Sequence, residues 1–393
     1  MPMIYRMFSK SMPGLKYQDK GWECQDFSGN KQFGITQAIA VADGHGSSEC
    51  FRSQIGAKKA IEVAFKCIKN FCLDDCNFSN IEKSSAKFSD VGITNFKFAL
   101  SKAWREEVYR DWQERVASLK QEIRFKDLEE KYKSNISAKT ADELGSYLYE
   151  AYGTTLLLAI SIGTQLLLIQ IGDGTCVILQ KNGKFRIPIP KDENNHLNFT
   201  VSLCEEDAHL KMRHVVLDCD PKFDDAPVAV FLSSDGLDNC FPVFNNEENL
   251  YRVYTAVIEG ILSIGFDGIT FDLTNWLPQI SKKVSKDDIS LAFFASDDKV
   301  LLKETFDLIG CVYKPNKMTV KNNNSATVVN ERDSAKCENS ISRIDASKSK
   351  NQIAKSSVVT IKTECQSDNI KIPSYNILFI NNYYLCTNSD NKQ

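Results

Sequence analysis

Short apolar runs, each closed by glycine or by polar turn residues, recur along the first 300 residues of the chain. Runs of this length that are rich in β-branched residues and bounded by turn residues are typical of buried strands. The tripeptide Ile162-Gly-Thr164 separates two of the runs and has the length of a hairpin turn. The sequence therefore predicts strands at Phe33–Val41, Thr155–Ser161, Gln165–Ile171, Thr175–Leu179, Val228–Ser234 and Ile289–Ala295. Residues 1–32 are polar and rich in turn formers, and no strand is predicted there.

Between these runs, three segments repeat their apolar residues every three to four positions, which is the spacing of a helix with one buried face. They cover Ser53–Phe71, Phe96–Lys133 and residues 247–284, the last with a glycine-rich interruption near 260–268. The second segment contains Trp104 and Trp112, and we interpret its aromatic stripe as a helix face that covers a sheet rather than as a binding surface. Residues 74–95 show no such period and are expected to form a loop or insertion.

Composition limits the classes of function. With 393 residues, 42% of them hydrophobic, the chain is long enough for one large domain or two ordinary ones. Its formal net charge of −3 provides no general field for nucleic acid or an anionic membrane, and no apolar run approaches the ~20 residues of a membrane span. The 13 cysteines are scattered without zinc-type spacing, and no signal peptide opens the chain. We therefore expect reduced thiols in a cytoplasmic protein.

Four aspartates share one setting, because each stands at the end or the beginning of an apolar run. Asp43 lies in Ala-Asp-Gly-His-Gly, Asp173 in Ile-Gly-Asp-Gly, Asp235 in Ser-Ser-Asp-Gly and Asp287 in Asp-Asp-Ile-Ser. Strand ends that are distant in sequence meet in a packed sheet, and converging carboxylates repel one another unless protons or cations neutralise them. Oxygen ligands of this kind favour Mg²⁺ or Mn²⁺ over Zn²⁺. A single Asp-Gly pair after a strand is more often a plain turn, so the prediction of a metal site rests on the combination.

Five short motifs occur in a fixed order, namely Asp-Gly-His-Gly at 43–46, Tyr-Gly-Thr-Thr at 152–155, Ile-Gly-Asp-Gly at 171–174, Ser-Asp-Gly at 234–236 and Asp-Asp-Ile-Ser at 287–290. In this order, from about Gly14 to Ala295, the chain resembles the type 2C, metal-dependent (PPM) protein serine/threonine phosphatases. The opening Gly14…Cys24-Gln25-Asp26 is most similar to the bacterial-type branch. The resemblance implies an α+β fold, a four-layer α-β-β-α sandwich of two antiparallel sheets flanked by helices. The phosphatase domain would cover residues 1–313, with a helical insertion at about 74–150, and residues 314–393, rich in Asn, Ser and Lys, would form a disordered tail.

The same resemblance implies a centre with two Mg²⁺ or Mn²⁺ ions and a third, more weakly held ion. Asp43 would bridge two ions, and the carbonyl of Gly44 would bind one of them. The other implied ligands are Asp235 and Asp287 for the second ion, Asp26 largely through held water, and Asp173 for the third ion. His45 is the implied general acid that protonates the leaving oxygen. A metal-activated water would hydrolyse phosphoserine or phosphothreonine in proteins, among them targets of a partner serine/threonine kinase, without a covalent enzyme intermediate.

Two positions depart from the family pattern. Members often carry a phosphate-binding arginine shortly before the position of Asp26, and this chain has Lys20-Gly-Trp-Glu-Cys24 there. Lys20 is assigned the phosphate-binding role, with Lys16 as the alternative and Arg6 as a less favoured one, although an ammonium group lacks the bidentate geometry of a guanidinium. The bacterial-type opening also often has a histidine where this chain has Tyr17.

Two other functions remain open at the level of sequence. A protein that keeps the phosphatase fold but acts as a binding or scaffold protein would fit the missing arginine, whereas the intact aspartates argue against it. An unrelated metal-dependent hydrolase of nucleotides or small phosphate esters is the other alternative. The chain lacks the Gly-x-x-x-x-Gly-Lys phosphate loop, which counts against nucleoside-triphosphate chemistry.

Overall fold

The computed structural model describes residues 3–19, 21–47, 49–73, 88–119, 148–190, 200–242 and 246–310. Within these ranges, the strands form two five-stranded antiparallel sheets. The strands are β1 (Tyr5–Met12), β2 (Phe27–Phe33), β3 (Thr36–Ala42), β4 (Leu156–Ile162), β5 (Gln165–Ile171), β6 (Thr175–Gln180), β7 (Phe185–Arg186), β8 (Arg213–Asp218), β9 (Pro227–Ser233) and β10 (Ile289–Ser296). The first sheet has the order β1-β10-β9-β6-β7, and the second has the order β2-β3-β4-β5-β8.

The helices lie between these strands in sequence and cover the sheets. They are α1 (Leu15–Gln18), α2 (Ser53–Leu73), α3 (Asp90–Leu119), α4 (Ala208–Lys211), α5 (Asp235–Asp238), α6 (Asn246–Ile280) and α7 (Lys299–Leu308). A π-helical turn, Ser281–Ser285, extends α6 towards β10.

Alternate residues of β3 show how the sheets become the middle layers of the fold. Ile39 and Val41 belong to the core between the two sheets, whereas Ala38, Ala40 and Ala42 belong to the core beneath α2 and α3. All residues of β3 are buried, as expected for a strand that is covered on both faces. On the first sheet, Tyr254 of α6 stacks on Phe231 of β9 with ring centroids 4.2 Å apart. The predicted α-β-β-α sandwich is therefore confirmed.

The aromatic stripe of α3 lies in the core, as predicted. Trp104 and Trp112 are buried, and the indole nitrogen of Trp104 donates to the carbonyl oxygen of Gly56 on α2 at 3.0 Å. The helix begins at Asp90, within the stretch that was expected to be a loop. The remaining parts of the predicted insertion, residues 74–87 and 120–147, lie outside the described residues.

The glycine-rich interruption predicted near 260–268 is a break in α6. Gly265 has a φ of +81°, which interrupts the helical backbone and is accessible to glycine without strain. Gly260 and Ile269 pack against each other across this break, so the two halves of α6 lie side by side. At the far end of the π-helical turn, Lys286 has a φ of +63° and is the one non-glycine residue with a positive φ in the described ranges.

β1 and most of β2 lie within residues 1–32, which are polar and turn-rich in sequence and where no strand was predicted. β8 was not predicted either. All three are edge strands. Edge strands bury only part of their surface and carry polar residues that discourage pairing with other chains, so their sequences resemble loops. The Lys31 and Gln32 side chains of β2, for example, are exposed.

Two further expectations concern membrane-spanning segments and the C-terminal tail. None of the described helices has the length and apolar character needed to cross a membrane. The expected tail, residues 314–393, lies outside the described residues.

Candidate metal centre

The two sheets each bring a pair of predicted aspartates to the same end. The register of β2 and β3 pairs Phe27 with Ala42, so Asp26 and Asp43 lie opposite each other one residue further on. The register of β6 and β9 pairs Thr175 with Ser233, and its continuation sets Asp173 opposite Asp235. Because the sheets pack face to face, four aspartates from distant parts of the chain converge.

The carboxyl groups of Asp26, Asp43 and Asp235 form one continuous cluster. Asp43 is in hydrogen-bond contact with both Asp26 and Asp235, and Asp26 also contacts the Ser234 hydroxyl. Burial raises the pKa of Asp26 to about 8, and the neighbouring Asp288 adds to the increase. Burial also raises the pKa values of Asp43 and Asp235, helped at Asp43 by the charge of Asp26. Without a cation, contacts between these carboxyls require shared protons.

The cluster fits a divalent cation. Asp26 Oδ2 is buried and has no hydrogen-bond partner, which is a costly state for a carboxylate oxygen unless it has a ligand. The donor atoms are all oxygens, as Mg²⁺ and Mn²⁺ prefer. No three acidic, histidine or thiol groups within the described ranges already have the spacing of a metal-ligand set. The three carboxyls therefore lie close together without the arrangement of a metal-ligand set.

Asp287 and Asp288 have different partners although they are adjacent. Asp288 is buried, and its two carboxylate oxygens accept hydrogen bonds from the backbone N–H groups of Gly14 (2.6 Å) and Gln25 (2.5 Å). Asp287 is more exposed and forms an ion pair with Lys16, whose Nζ lies 3.1 Å from Oδ2. The ion pair with Lys16 holds Asp287 beside the cluster. The hydrogen bonds of Asp288 connect the start of β10 to the segment that carries Asp26. The role of Asp288 was not predicted, although the doubled aspartate before a strand was a usable signal.

Gly44 lies where the backbone is too close to its neighbours for a side chain. A Cβ atom on Gly44 would stand 2.7 Å from the Gln25 carbonyl oxygen and 2.8 Å from that of Ser53. Its backbone forms an isolated bridge with Thr154. The close approach is consistent with the predicted role of the Gly44 carbonyl, since glycine lets the backbone reach an ion.

His45 follows directly and packs against Gly153. Its backbone N–H donates to the Gly153 carbonyl oxygen at 3.2 Å. Burial lowers the pKa of His45, and the charges of Asp173 and Glu205 oppose this effect. The imidazole ring lies beside Gly153, where a Cβ atom would stand 2.6 Å from the ring carbon Cδ2.

The Tyr-Gly-Thr-Thr motif holds the backbone of Asp43. The Thr155 N–H donates to the Asp43 carbonyl oxygen (2.8 Å), and the Thr155 hydroxyl accepts from the Asp43 N–H (3.0 Å). The Thr154 hydroxyl donates to the same carbonyl oxygen at 2.9 Å. The two threonines thus fix the position of the central carboxylate.

Asp173 is positioned by residues that the sequence did not indicate. The Thr200 hydroxyl donates to Asp173 Oδ2 at 2.7 Å. The Arg213 guanidinium donates to the carbonyl oxygen of Gly172 at 3.2 Å, and the Gln170 amide donates to that of Gly174 at 2.6 Å. These partners hold the turn between β5 and β6, where the chain passes from the second sheet to the first.

A second unpredicted group supports the loop that follows His45. Arg52 donates to Asp111 of α3 at 2.6 Å through a terminal nitrogen, and the Tyr152 hydroxyl donates to the same carboxylate oxygen at 2.6 Å. The side chains of Arg52 and Asp111 are only 10% and 13% exposed. The group connects α3, the start of α2 and the Tyr-Gly-Thr-Thr motif.

The cations considered as replacements for the family's arginine have different locations. Lys20 lies outside the described residues. Lys16 pairs with Asp287, as described above, and its ammonium lies 5.0 Å from the ring centroid of Tyr17. Tyr17 is buried beside Gly46, and burial together with the charges of Asp287 and Asp43 raises its pKa. Arg6 pairs instead with Asp267 at 2.7 Å and lies over Phe266, away from the aspartate cluster.

The chain is similar to known proteins in structure and in family sequence pattern. The serine/threonine phosphatase PstP/Ppp of Mycobacterium tuberculosis is similar in structure, with 13% identity over 75% of this chain and 99% of that chain and a TM-score of 0.42. The serine/threonine phosphatase of S. agalactiae has 13% identity over 75% and 100% of the two chains and a TM-score of 0.45. No curated protein sequence matches the chain. The family model described as protein phosphatase 2C matches residues 14–277. Because this match covers more than half of the chain, the protein belongs to the protein phosphatase 2C family.

Proposed function

We propose that this protein hydrolyses phosphoserine and phosphothreonine in proteins with the help of Mg²⁺ or Mn²⁺. The observation that supports this most strongly is the contact among Asp26, Asp43 and Asp235, together with the buried, unpartnered Oδ2 of Asp26. One buried and two half-buried acids so close together are costly in the absence of a cation, because like charges repel and desolvation penalises each one. Membership of the protein phosphatase 2C family supports the same function.

The proposal assigns the ligands as follows. Asp43, the carbonyl of Gly44, Asp235 and Asp287 would hold two ions, Asp26 would act largely through water, and Asp173 would contribute to a third, weaker site. When bound, the ions offset charge on the phosphoryl oxygens and lower the pKa of a water molecule. The chain's own contribution is to hold these groups in place, through the threonines on the Asp43 backbone and the Thr200 hydroxyl on Asp173. The backbone N–H groups that donate to Asp288 fix the neighbouring segment that carries Asp26.

His45 is the proposed general acid for the leaving serine or threonine oxygen. A general acid must be protonated before it can donate, and it works best when its pKa lies near the working pH. Burial favours the neutral imidazole, whereas Asp173 and Glu205 favour the imidazolium. Burial is the larger effect, so the pKa of His45 lies below its ordinary value in the metal-free protein.

The phosphoryl group of the substrate would lie beside Lys16 and Tyr17, which border Asp287 in the structure. An ammonium at this position can attract a phosphate but cannot form two parallel hydrogen bonds as arginine does. Lys20 keeps its proposed role in phosphate binding. We propose that the substrates are phosphorylated cytoplasmic proteins, including targets of a partner serine/threonine kinase.

The proposal is tested by titrating the purified full-length protein with Mn²⁺ and Mg²⁺. An aryl phosphate, a phosphothreonine peptide and a nucleoside triphosphate would be compared as substrates. We expect turnover of the first two that depends on the ion and is removed by a chelator. Absence of turnover at millimolar Mn²⁺ would favour a binding or scaffold protein, and preferential turnover of the nucleotide would favour a different hydrolase.

A further inference from the structure

Three lysines project from one short turn beside the aspartate cluster. In the segment Ser281–Lys286, Ser281 is buried and Val284 packs against the core, whereas Lys282, Lys283 and Lys286 are exposed. The inward residues anchor the turn, and the outward ones are all cationic. We call Lys282, Lys283 and Lys286 together with Lys16 the lysine rim.

The rim is fixed relative to the cluster by backbone contacts. The Lys16 N–H donates to the Lys286 carbonyl oxygen at 2.8 Å, and the Lys286 N–H donates to the Ser281 carbonyl oxygen at 2.8 Å. The Ser281 hydroxyl lies 3.0 Å from the carbonyl oxygens of both Pro13 and Asp287 and can donate its one proton to either. The turn also packs against α5, which begins with Asp235. The rim therefore borders the cluster on the side of Asp287.

The left-handed backbone at Lys286 is part of this arrangement. A φ of +63° is uncommon for a non-glycine residue, because its Cβ crowds the neighbouring carbonyl oxygen. Gly14 packs so closely against Asp287 that a Cβ atom on Gly14 would overlap the Asp287 backbone. Close packing of the two segments keeps Lys286 in this conformation, and its side chain is directed into solvent.

The charges of the turn are not neutralised within the described part of the chain. Lys16 pairs with Asp287 at 3.1 Å, but no ion pair joins Lys282, Lys283 or Lys286 to another described residue. The lysine rim therefore gives the border of the site beside Asp287 a positive charge. The chain as a whole has a net charge of −3, so this positive side is local.

We propose that the lysine rim binds acidic residues that flank the phosphorylated serine or threonine of a protein substrate. This proposal rests on the proposed phosphatase function. A substrate segment whose phosphoryl group reaches the aspartate cluster must pass over its border, and each residue of an extended segment spans about 3.3–3.6 Å. Two or three neighbours of the phosphorylated residue therefore come within reach of the lysines. Four lysines on a protein of net negative charge are better suited to a short acidic peptide than to a nucleic acid or a membrane.

The test compares three phosphothreonine peptides that carry glutamate, glutamine or lysine on both sides of the phosphorylated residue. For the full-length protein in Mn²⁺ at low salt, we expect kcat/KM for the glutamate peptide to exceed that for the glutamine peptide by ~10-fold, with the lysine peptide lowest. Each exposed ion pair contributes a small factor, so the preference should also weaken as salt is raised.

The rim variant is Lys282→Gln/Lys283→Gln/Lys286→Asn, in which asparagine is chosen because it tolerates a positive φ. We expect its preference for the glutamate peptide to fall to about twofold or less, while turnover of an aryl phosphate changes far less. A control variant, Lys58→Gln/Lys184→Gln/Lys299→Gln, removes the same charge from exposed lysines elsewhere and should keep the preference.

Equal kcat/KM values for the glutamate and glutamine peptides would overturn the proposal, as would an equal loss of preference in both variants. If the protein turns over neither peptide nor aryl phosphate, the phosphatase function fails, and the rim is then judged by fluorescence anisotropy of the same peptides in Mn²⁺. In that binding experiment, the proposal for the lysine rim would be overturned if the glutamate peptide bound no more tightly than the glutamine peptide. Rim-dependent binding of vesicles of phosphatidylcholine with phosphatidylserine, or of duplex DNA, that exceeds peptide binding would also contradict it.

Discussion

Asp26 and Asp43 face each other one residue beyond the paired ends of β2 and β3, with their carboxyls in hydrogen-bond contact. The register of a single hairpin is enough to bring them together, although 16 residues separate them in sequence. Asp43 then extends the contact to Asp235 on the other sheet. The position of Asp43 at the junction of both contacts makes it the most sensitive residue of the centre.

We expect Asp43→Asn to abolish ion-dependent turnover while the fold is kept. Asparagine has nearly the same shape but no charge, so it cannot bridge two cations. Loss of even an outer partner of a metal ligand costs about 10–100-fold in affinity or activity, so loss of a bridging ligand should reduce kcat/KM by ~100-fold or more. Steady-state kinetics with Mn²⁺ and circular dichroism check the two expectations.

Asp225→Asn is the control for this experiment, because Asp225 is exposed and precedes the start of β9, at the end of the strand away from Asp235. Near-normal turnover in Asp43→Asn would show that the centre is misplaced.

The metal-free protein should lose stability as the pH rises from about 4 to 8. Burial raises the pKa of Asp26 to about 8 and the pKa values of Asp43 and Asp235 above their usual range, near ~3.9 in an unfolded chain. The folded protein therefore binds these protons more tightly than the unfolded chain. The resulting stability is fully present below pH ~4 and is lost as the pH rises through the raised pKa values. Thermal unfolding in a chelator across this range measures the effect.

His45 contributes with the opposite sign, because its pKa is lowered, so the comparison of variants isolates the carboxyls. Asp26→Asn should flatten the fall in Tm, whereas Asp225→Asn should leave it unchanged. Addition of Mn²⁺ should raise Tm most at the higher pH. A wild-type Tm that rises steadily from pH 5 to 8 in chelator, with no difference in Asp26→Asn, would contradict the assigned burial.

Gly44→Ala should destabilise the protein, because the added Cβ would stand 2.7–2.9 Å from the backbone atoms of Gln25 and Ser53. Overpacking of this kind costs typically 1–3 kcal/mol. Displacement of the Gly44 carbonyl should also weaken the response of Tm to Mn²⁺. Gly310→Ala is the matched control, since nothing lies within 4 Å of a Cβ there. Equal Tm values for the two variants would show that the backbone near Gly44 relaxes easily.

Asp111→Ala should destabilise the protein by about 2–3 kcal/mol. The change removes a carboxylate that accepts from both Arg52 and Tyr152 and leaves the mostly buried guanidinium without this charge partner. Chemical denaturation measures the loss. Asp307→Ala removes a surface carboxylate that pairs with Lys303, with both side chains more than half exposed, and should cost less than 1 kcal/mol. A loss in Asp111→Ala no greater than in Asp307→Ala would mean that the buried group contributes little.

The buried strands and the aspartates at their ends could be predicted from the sequence, because a strand covered on both faces is apolar throughout. β9, for example, is buried along its whole length and was predicted to within one residue. β1, β2 and β8 could not be predicted in this way, since edge strands mix buried and exposed positions without a clear apolar run.

The supporting partners of the aspartate cluster were harder to predict than the proposed ligands. Asp288 is distinguished from Asp287 only by the direction of its side chain, which depends on the approach of Gly14 and Gln25. Thr200 and Asp111 reach the site from elements far away in sequence, and nothing in their local sequence marks them. Such contacts depend on the packed fold, whereas the ligands belong to motifs that can be recognised locally.

The sharing of the acids between the sheets has a mechanical consequence. Asp26 and Asp43 belong to the second sheet, whereas Asp235 and Asp287 adjoin strands of the first. An ion held by both pairs would act as a cross-link through the middle of the sandwich. A slip of either sheet by one residue, about 3.3 Å, would move one pair of aspartates away from the other and release the ion. Loss of the ion should therefore loosen the sheets against each other, and the chain would sense the divalent cation through the rigidity of its own core.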